Sequence, residues 1–385
     1  MAFANTTASS PAPVPPRAQE VLGLLRANHN VLISGPPGTG KSRLLAEVAR
    51  GFRHQTGGPA YVHTARVAIP AVSGGPPPPW LPSPHRTERE VFPTALHSGA
   101  KPRDFLRGIV PAIALGDDTD GAGKGLRFEV TKGTLYRASE YALTDDGAAL
   151  LIIDELNRGP AVAIFGPAIV GLESDKRLND DGKPTYTTQH FEVLDDHGRN
   201  APYALPRHLY VLAAMNQADT SVEAIDVAFL RRFTPYLLHP SEQVLLDYFG
   251  LASADLPTGQ PASDAGVYAL LVSAWRRVNE RLSLGRGPEY QIGHGVLMLD
   301  ERRPTGLPEA SAFATRGWAK VRQHIDEVFF GDTRGVGDVL AAGRNNSPYA
   351  VVNTTFADQP VVSLTGPTHP TGDVLHTVLR AVATP

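Results

Sequence analysis

The stretch Gly35-Pro36-Pro37-Gly38-Thr39-Gly40-Lys41-Ser42 constrains this chain more than any other, because it fits G-x-x-x-x-G-K-[ST] in a setting that gives the string meaning. Val31-Leu32-Ile33 ahead of it is a short apolar run of the kind a buried parallel strand requires. From Ser42 to Phe52, residues Leu44, Leu45, Val48, Ala49 and Phe52 recur on one helical face. Strand, glycine loop and helix start, in that order, make a cradle for phosphate. The glycines let backbone N–H groups approach phosphate oxygens, and the helix start adds a partial positive charge. Lys41 is then expected to reach the β- and γ-phosphates, and the Ser42 hydroxyl to ligate Mg²⁺. The bland alternative is a Gly/Pro-rich turn that matches by chance, and the flanking elements weigh against it. The sequence therefore predicts that residues Gly35 to Ser42 bind a nucleoside triphosphate.

Two further continuous apolar runs follow. Ala148 to Ile153 ends in Asp154-Glu155, and Leu209 to Ala214 ends in Met215-Asn216. Alternation of such runs with helical segments predicts a parallel sheet covered on both faces, an α/β fold whose ligands sit at the carboxyl ends of the strands. Gly35, Asp154 and Asn216 all fall at those ends. Asp154 is expected to hold Mg²⁺ together with Ser42, and Glu155 to polarise the water that attacks the γ-phosphate. Read alone, an Asp-Glu pair could equally cap the next helix; the phosphate loop shifts the balance towards chemistry. Asn216 is expected to bond the γ-phosphate or the lytic water, against the alternative of a turn residue. Arg231-Arg232-Phe233 offers an arginine to the nucleotide of a neighbouring subunit, or an ordinary helix-ending arginine, and spacing alone leaves these readings open.

The rest of the chain sets limits. With 385 residues there is room for one large or two ordinary domains. A formal charge of −3 without a run of like charges gives no general reason to bind nucleic acid or anionic membrane tightly. Cysteine is absent, which removes disulfides, thiol catalysis and cysteine-based zinc sites. The thirteen histidines include no H-x-x-x-H pair, and there is no G-x-S-x-G elbow. No apolar run is long enough to span a membrane, so a soluble, cytoplasmic protein is expected. Residues 1–16 read as a disordered leader, and Arg17 to Asn28 as a short helix. Residues 57–88 read as a proline-rich surface insertion, with a polyproline ligand as the alternative. Arg89 to Ala95 reads as a strand, Asp104 to Val110 as a helical turn, Asp117 to Gly125 as an acidic loop and Gly133 to Leu143 as a helix. Helices are expected at Glu242 to Tyr248, Val267 to Leu282 and Phe313 to Phe330, and the last fifty residues read as mixed.

Together these pieces resemble an AAA+ ATPase, and within that class the McrB-type GTPase branch near the MoxR and dynein-related group. The resemblance rests on IIDELNRGPAVAIFGPAIVGLESDKR from Ile152 to Arg177, YALPRHLYVLAAMNQADT from Tyr203 to Thr220, DVAFLRRF from Asp226 to Phe233, and VNERL and YQIGH between Val278 and His294. It extends over about residues 17–335. The resemblance implies a nucleotide-binding domain at 17–240, a smaller helical lid at 241–335 and a C-terminal extension at 336–385. It implies that Asn216 is sensor 1, that Arg231 or Arg232 is the trans-acting finger, with Arg232 the first choice, and that Asn157 and Arg158 couple the site to a neighbour. His294 stands where other AAA+ proteins present a sensor-2 arginine, and Leu230 replaces the first of three arginines in the branch's pattern.

Two functions follow from the resemblance. One is a ring-forming, hexameric NTP-hydrolysing motor subunit that uses GTP or ATP, drives a partner nuclease of McrC type on DNA, and serves restriction or phage defence. The other is a MoxR-like chaperone that remodels a protein client. McrB-type restriction subunits carry a DNA-reading domain ahead of the motor, and here only the short leader is expected there.

Overall fold

The computed structural model describes residues 13–53, 77–113, 126–218 and 225–385. The expectations for residues 1–12, for 57–76 of the proline-rich stretch and for the acidic loop at 117–125 lie outside the described residues. The chain divides into two compact units, one of residues 1–34 and 41–237, the other of 35–40 and 238–385.

In the first unit, helix α1 (Pro16–Asn28) leads into strand β1 (Asn30–Gly35), all six residues of which are buried. Helix α2 (Lys41–Arg53) starts directly after the glycine loop and buries Leu44, Leu45, Val48, Ala49 and Phe52, the face its periodicity predicts. Strand β2 (Glu88–Ala95) follows, then a four-residue helix α3 (Pro102–Phe105) and the antiparallel hairpin of β3 (Arg107–Ile113) and β4 (Leu126–Lys132). The helical turn expected over Asp104 to Val110 is thus corrected. Pro102 starts the helix earlier, and from Arg107 the chain is extended. Helix α4 (Thr134–Ala142) precedes β5 (Gly147–Asp154). Helix α5 (Ala161–Phe165), a small hairpin of β6 (Phe191–Leu194) and β7 (Asn200–Tyr203), and strand β8 (Leu209–Asn216) come next. The unit closes with α6 (Val227–Leu230) and β9 (Thr234–Leu237). Leu81, Pro82 and Ser83 are buried, so this part of the proline-rich stretch packs into the unit instead of standing off as a ligand.

Five strands form one sheet in the order β2-β5-β8-β1-β9. β2 with β5, β5 with β8 and β1 with β9 pair in parallel, and Val211 N–H donates to the His29 carbonyl at 2.9 Å across the β8–β1 join. Because side chains alternate across a strand, Ala149, Leu151 and Ile153 share one core with Leu209, Val211 and Ala213. Leu150, Ile152, Tyr210 and Leu212 are buried on the opposite face, where Phe52 of α2 meets Tyr210 edge-on at 6.0 Å between ring centres. Helices cover both faces, as continuous apolar strands require. The chain leaves β1 towards β2 on one side and returns to β9 on the other. The carboxyl ends of β5, β8 and β1 therefore border the point where strand order reverses, the usual ligand crevice of such sheets.

The second unit is mainly helical: α7 (Glu242–Phe249), α8 (Asp264–Gly285), α9 (Leu307–Val328), α10 (Thr333–Val339), a hairpin of β10 (Ala350–Phe356) and β11 (Gln359–Thr365), and α11 (Gly372–Ala383). Phe249 stacks on Tyr268 at 4.4 Å, and Phe313 meets both edge-on at 5.8 Å. Leu375, Val378, Leu379 and Val382 of α11 enter the same core, so the last residues of the chain build this unit. Among the described residues no helix is long and apolar enough to cross a membrane.

Candidate functional site

β5 delivers Asp154 to the carboxyl edge of the sheet and then turns sharply. Glu155 takes up φ 53°, ψ 48°, the left-handed region that side chains other than glycine rarely occupy. A single helical turn, Leu156–Arg158, follows it. The turn is held by Glu155 N–H donating to Asp154 Oδ1 at 3.0 Å and by Arg158 N–H donating to the Glu155 carbonyl at 2.9 Å. Such conformations persist only where the surroundings enforce them, and they gather at functional sites.

The Glu155 carboxylate meets two groups. Asn216 Nδ2, at the end of β8, lies 3.3 Å from both its oxygens, and Arg158 Nε donates to Oε2 at 3.1 Å. Asn157, buried, donates from Nδ2 to the Asn216 carbonyl at 2.7 Å, closing a circuit in which the turn after β5 grips the end of β8. Asn157 and Arg158 thus act on Glu155 and Asn216 within one chain.

Lys41 opens α2 and is buried. Burial pushes its ammonium from 10.5 down to about 8, against the opposing pull of Glu155 and Asp154. A desolvated cation is stabilised when a polyanion arrives, which favours its charged form and raises its pKa again. The sheet edge therefore unites Lys41, Asp154, Glu155 and Asn216. Ser42, next to Lys41, is exposed. A hydroxyl and a carboxylate suit Mg²⁺, which prefers oxygen ligands and keeps water and phosphate oxygens for most of its shell. Among the described residues no cluster of three His, Asp or Glu side chains forms a protein-built metal cage.

The loop Gly35–Gly40 belongs to the second unit. Gly293 N–H donates to the Pro37 carbonyl at 2.9 Å, and Gly295 N–H to the Gly38 carbonyl at 2.8 Å. Only glycine fits at 293, because a Cβ there would stand 2.0 Å from the Gly38 carbonyl carbon. The segment is fixed from behind: Asn279 of α8 brackets Ile292 by accepting its N–H at 2.6 Å and donating to its carbonyl at 2.9 Å, and Trp275 Nε1 donates to the same carbonyl at 3.0 Å. Thr39 Oγ1 donates to the Pro36 carbonyl at 2.8 Å inside the loop. His294 is buried, and its Nδ1 accepts the Ser241 N–H at 3.3 Å.

The two arginines differ. Arg231 is exposed. Arg232 is half-buried, with one guanidinium N–H on the Ala228 carbonyl and its Nε 3.5 Å from Glu173. Its own carbonyl accepts from Asn30 Nδ2 at 3.1 Å, while Asn30 Oδ1 accepts from Arg177 Nη2 at 2.7 Å. Arg177 is fully buried among the carbonyls of Leu172 and Leu209. Asn30 and Arg177 thus anchor the arginine loop to β1, a role that spacing in the sequence does not signal.

A sequence model of the AAA domain matches residues 26–164. The chain is 25% identical over 217 residues to the type IV methyl-directed restriction enzyme EcoKMcrB subunit of Escherichia coli (strain K12), a match covering 56% of this chain and 36% of that protein. It is 28% identical over 216 residues to the type II restriction enzyme BsuMI component YdiS of Bacillus subtilis (strain 168), covering 53% of this chain and 55% of that one. The matches thus span about a third and about half of the relatives' lengths. Among solved structures, NtrX from Brucella abortus aligns over 86% of this chain and 65% of its own at 11% identity and a TM-score of 0.29, which leaves the fold assignment resting on the strand order itself.

Proposed function

We propose that the chain is an AAA+ protein of McrB type, as the AAA-domain match and the two restriction-system relatives support, and that it hydrolyses a nucleoside triphosphate as one subunit of a ring-shaped, hexameric motor. The observation that carries the reading is the grouping of Lys41, Asp154, Glu155 and Asn216 at the carboxyl edge of the sheet, with Glu155 held in a left-handed turn against Asn216. Gly35 to Ser42 would cradle the triphosphate, and Lys41 would offset its β- and γ-charge. Asn216 would hold the γ-phosphate or the attacking water, and Glu155 would take that water's proton. Ser42 and Asp154 would hold Mg²⁺, which when bound draws charge from the phosphate oxygens. Arg231, exposed where Arg232 is tied down, becomes the first candidate for the finger that one subunit offers to the next.

The two relatives are restriction-system components, which supports a role in DNA restriction or phage defence with a nuclease partner of McrC type, DNA being handled by the complex. The likeness to the GTPase branch gives GTP a slight edge over ATP. The test is steady-state phosphate release from purified protein with ATP and GTP in parallel, with and without DNA. GTP-selective turnover is the expected result and directs the search to a nuclease subunit. ATP-selective turnover indifferent to DNA would overturn the restriction reading in favour of MoxR-like protein remodelling.

A further inference from the structure

At the opposite edge of the same sheet lies a second constellation that nucleotide hydrolysis does not use. Residues just ahead of β1, β2 and β8 meet there around a cavity of about 310 Å³. Six residue steps along β8, roughly 20 Å of strand, separate Tyr210 at this edge from Asn216 at the other.

Ser83 is the centre of the cluster. It is buried and held at φ 44°, again in the left-handed region. Arg89 enforces this, donating to the carbonyls of Ser83 at 3.0 Å, Arg86 at 3.1 Å and Phe52 at 2.6 Å. The Ser83 Oγ is thereby set 2.6 Å from His208 Nδ1 and 2.7 Å from the Tyr210 hydroxyl. On its far side His208 Nε2 lies 3.3 Å from the Asp180 carbonyl and 3.8 Å from its carboxylate. A serine, a histidine and an aspartate in that order can activate a nucleophile. Here the second hydroxyl on Ser83 and the charge around it favour holding an anion.

That charge is positive. Arg26, Arg86 and Arg207 line the cavity against the single carboxylate of Asp180, which Arg207 pairs at 3.1 Å. Two of the three histidines that line the cavity are held towards the uncharged form: burial and then Arg177 push His29 down to about 3, and burial and then Arg86 lower His208. His29 supplies an independent sign. Its ring is 4% exposed, stacks on Tyr210 at 5.2 Å and bonds the Arg207 backbone, yet its Nδ1 has no hydrogen-bond partner. Buried polar atoms are ordinarily satisfied, and His29 is one of the residues that line the cavity.

We propose that this cavity is a second ligand site, built for a phosphomonoester or free phosphate. Arginines from three separate segments line the cavity, and their remaining N–H groups suit a tetrahedral oxyanion; the Ser83 hydroxyl gives a neutral donor, and the volume admits a small organic group beyond the phosphate.

The experiment uses the full chain carrying Lys41→Ala, which weakens phosphate binding at the other edge, with ¹⁵N-labelled histidine. Inorganic phosphate and then phenyl phosphate are titrated while the His29 and His208 ring resonances are followed. Saturable shifts of both rings are expected, with affinity reduced about tenfold or more by Arg207→Gln, whose half-exposed side chain leaves the fold intact, and reduced by Ser83→Ala. No saturable shift with either probe overturns the proposal. So do shifts that both substitutions leave unchanged, and so does a response to duplex DNA alone.

Discussion

Glu155 combines two properties that separate substitutions pull apart. As general base it is expected to contribute about 10²–10⁴ in rate, which is about 3–5 kcal/mol of barrier. Glu155→Gln keeps the side-chain length, and its amide oxygen can still accept from Asn216 Nδ2 at 3.3 Å. The lost ion pair with Arg158 joins groups 32% and 53% exposed and is worth under about 1 kcal/mol. Nucleotide affinity should therefore stay within a few-fold of wild type while phosphate release falls at least a hundredfold. Glu155→Gly addresses the backbone instead. A left-handed conformation costs a residue with a Cβ about 1–2 kcal/mol, and the greater flexibility of glycine in the unfolded chain takes back about 0.5–1 kcal/mol. The difference is about 0–1.5 kcal/mol, from which the lost contacts to Arg158 and Asn216 subtract under about 1 kcal/mol, so Tm should stay at or up to roughly 4 °C above that of wild type, in a protein without turnover. The assays are phosphate release, fluorescent-nucleotide binding and thermal unfolding of the three proteins side by side. Turnover of Glu155→Gln within a few-fold of wild type would refute the base assignment. A Tm for Glu155→Gly several degrees below wild type would refute the claim that the turn stores strain.

Arg231→Ala should bind nucleotide but hydrolyse it poorly, and mixing it with a Lys41→Ala chain should restore part of the turnover; absence of rescue would argue against action in trans. Arg232→Ala should instead lower Tm by a few degrees, since it removes the contacts to Ala228 and Glu173. Gly293→Ala pushes a methyl group into the Gly38 backbone, an overpacking worth about 1–3 kcal/mol; nucleotide Kd should rise about tenfold, and an unchanged Kd would detach this segment from the phosphate loop. Nucleotide affinity should also depend on pH through Lys41, whose free-protein value lies near 8. The bound polyanion favours the charged ammonium, so binding takes up a proton above that pH. Kd should be flat near neutrality and rise by up to tenfold per unit above about 8, a rise that Lys41→Met should abolish.

The elements that carry the nucleotide edge were legible because their signals are local. β1, β5 and β8 are unbroken apolar runs ending in polar residues, and α2 shows its buried face in sequence. The β3–β4 hairpin was not, since Gly108 and Pro111 interrupt any alternation in β3. The β10–β11 hairpin turns through Ala357-Asp358, both at positive φ, without the Asn-Gly pair that advertises such a turn. Helix α11 carries Leu375, Val378, Leu379 and Val382 at helical spacing, but what they pack against is set by α8 and α9, far away in sequence. The left-handed turn at Glu155 and the carbonyl cage of Arg177 are tertiary facts, with no local composition to betray them. The same holds for the cavity cluster, whose Ser83, Asp180 and His208 are joined only by the fold.

The most direct test of the central claim is phosphate release by the wild-type protein and by Lys41→Ala under identical nucleotide, Mg²⁺ and protein concentrations. The account predicts nucleotide-dependent release by the wild type and loss of nearly all of it in the variant, with Tm unchanged. Equal release by both proteins, or none by a folded wild type that binds no nucleotide, would contradict it.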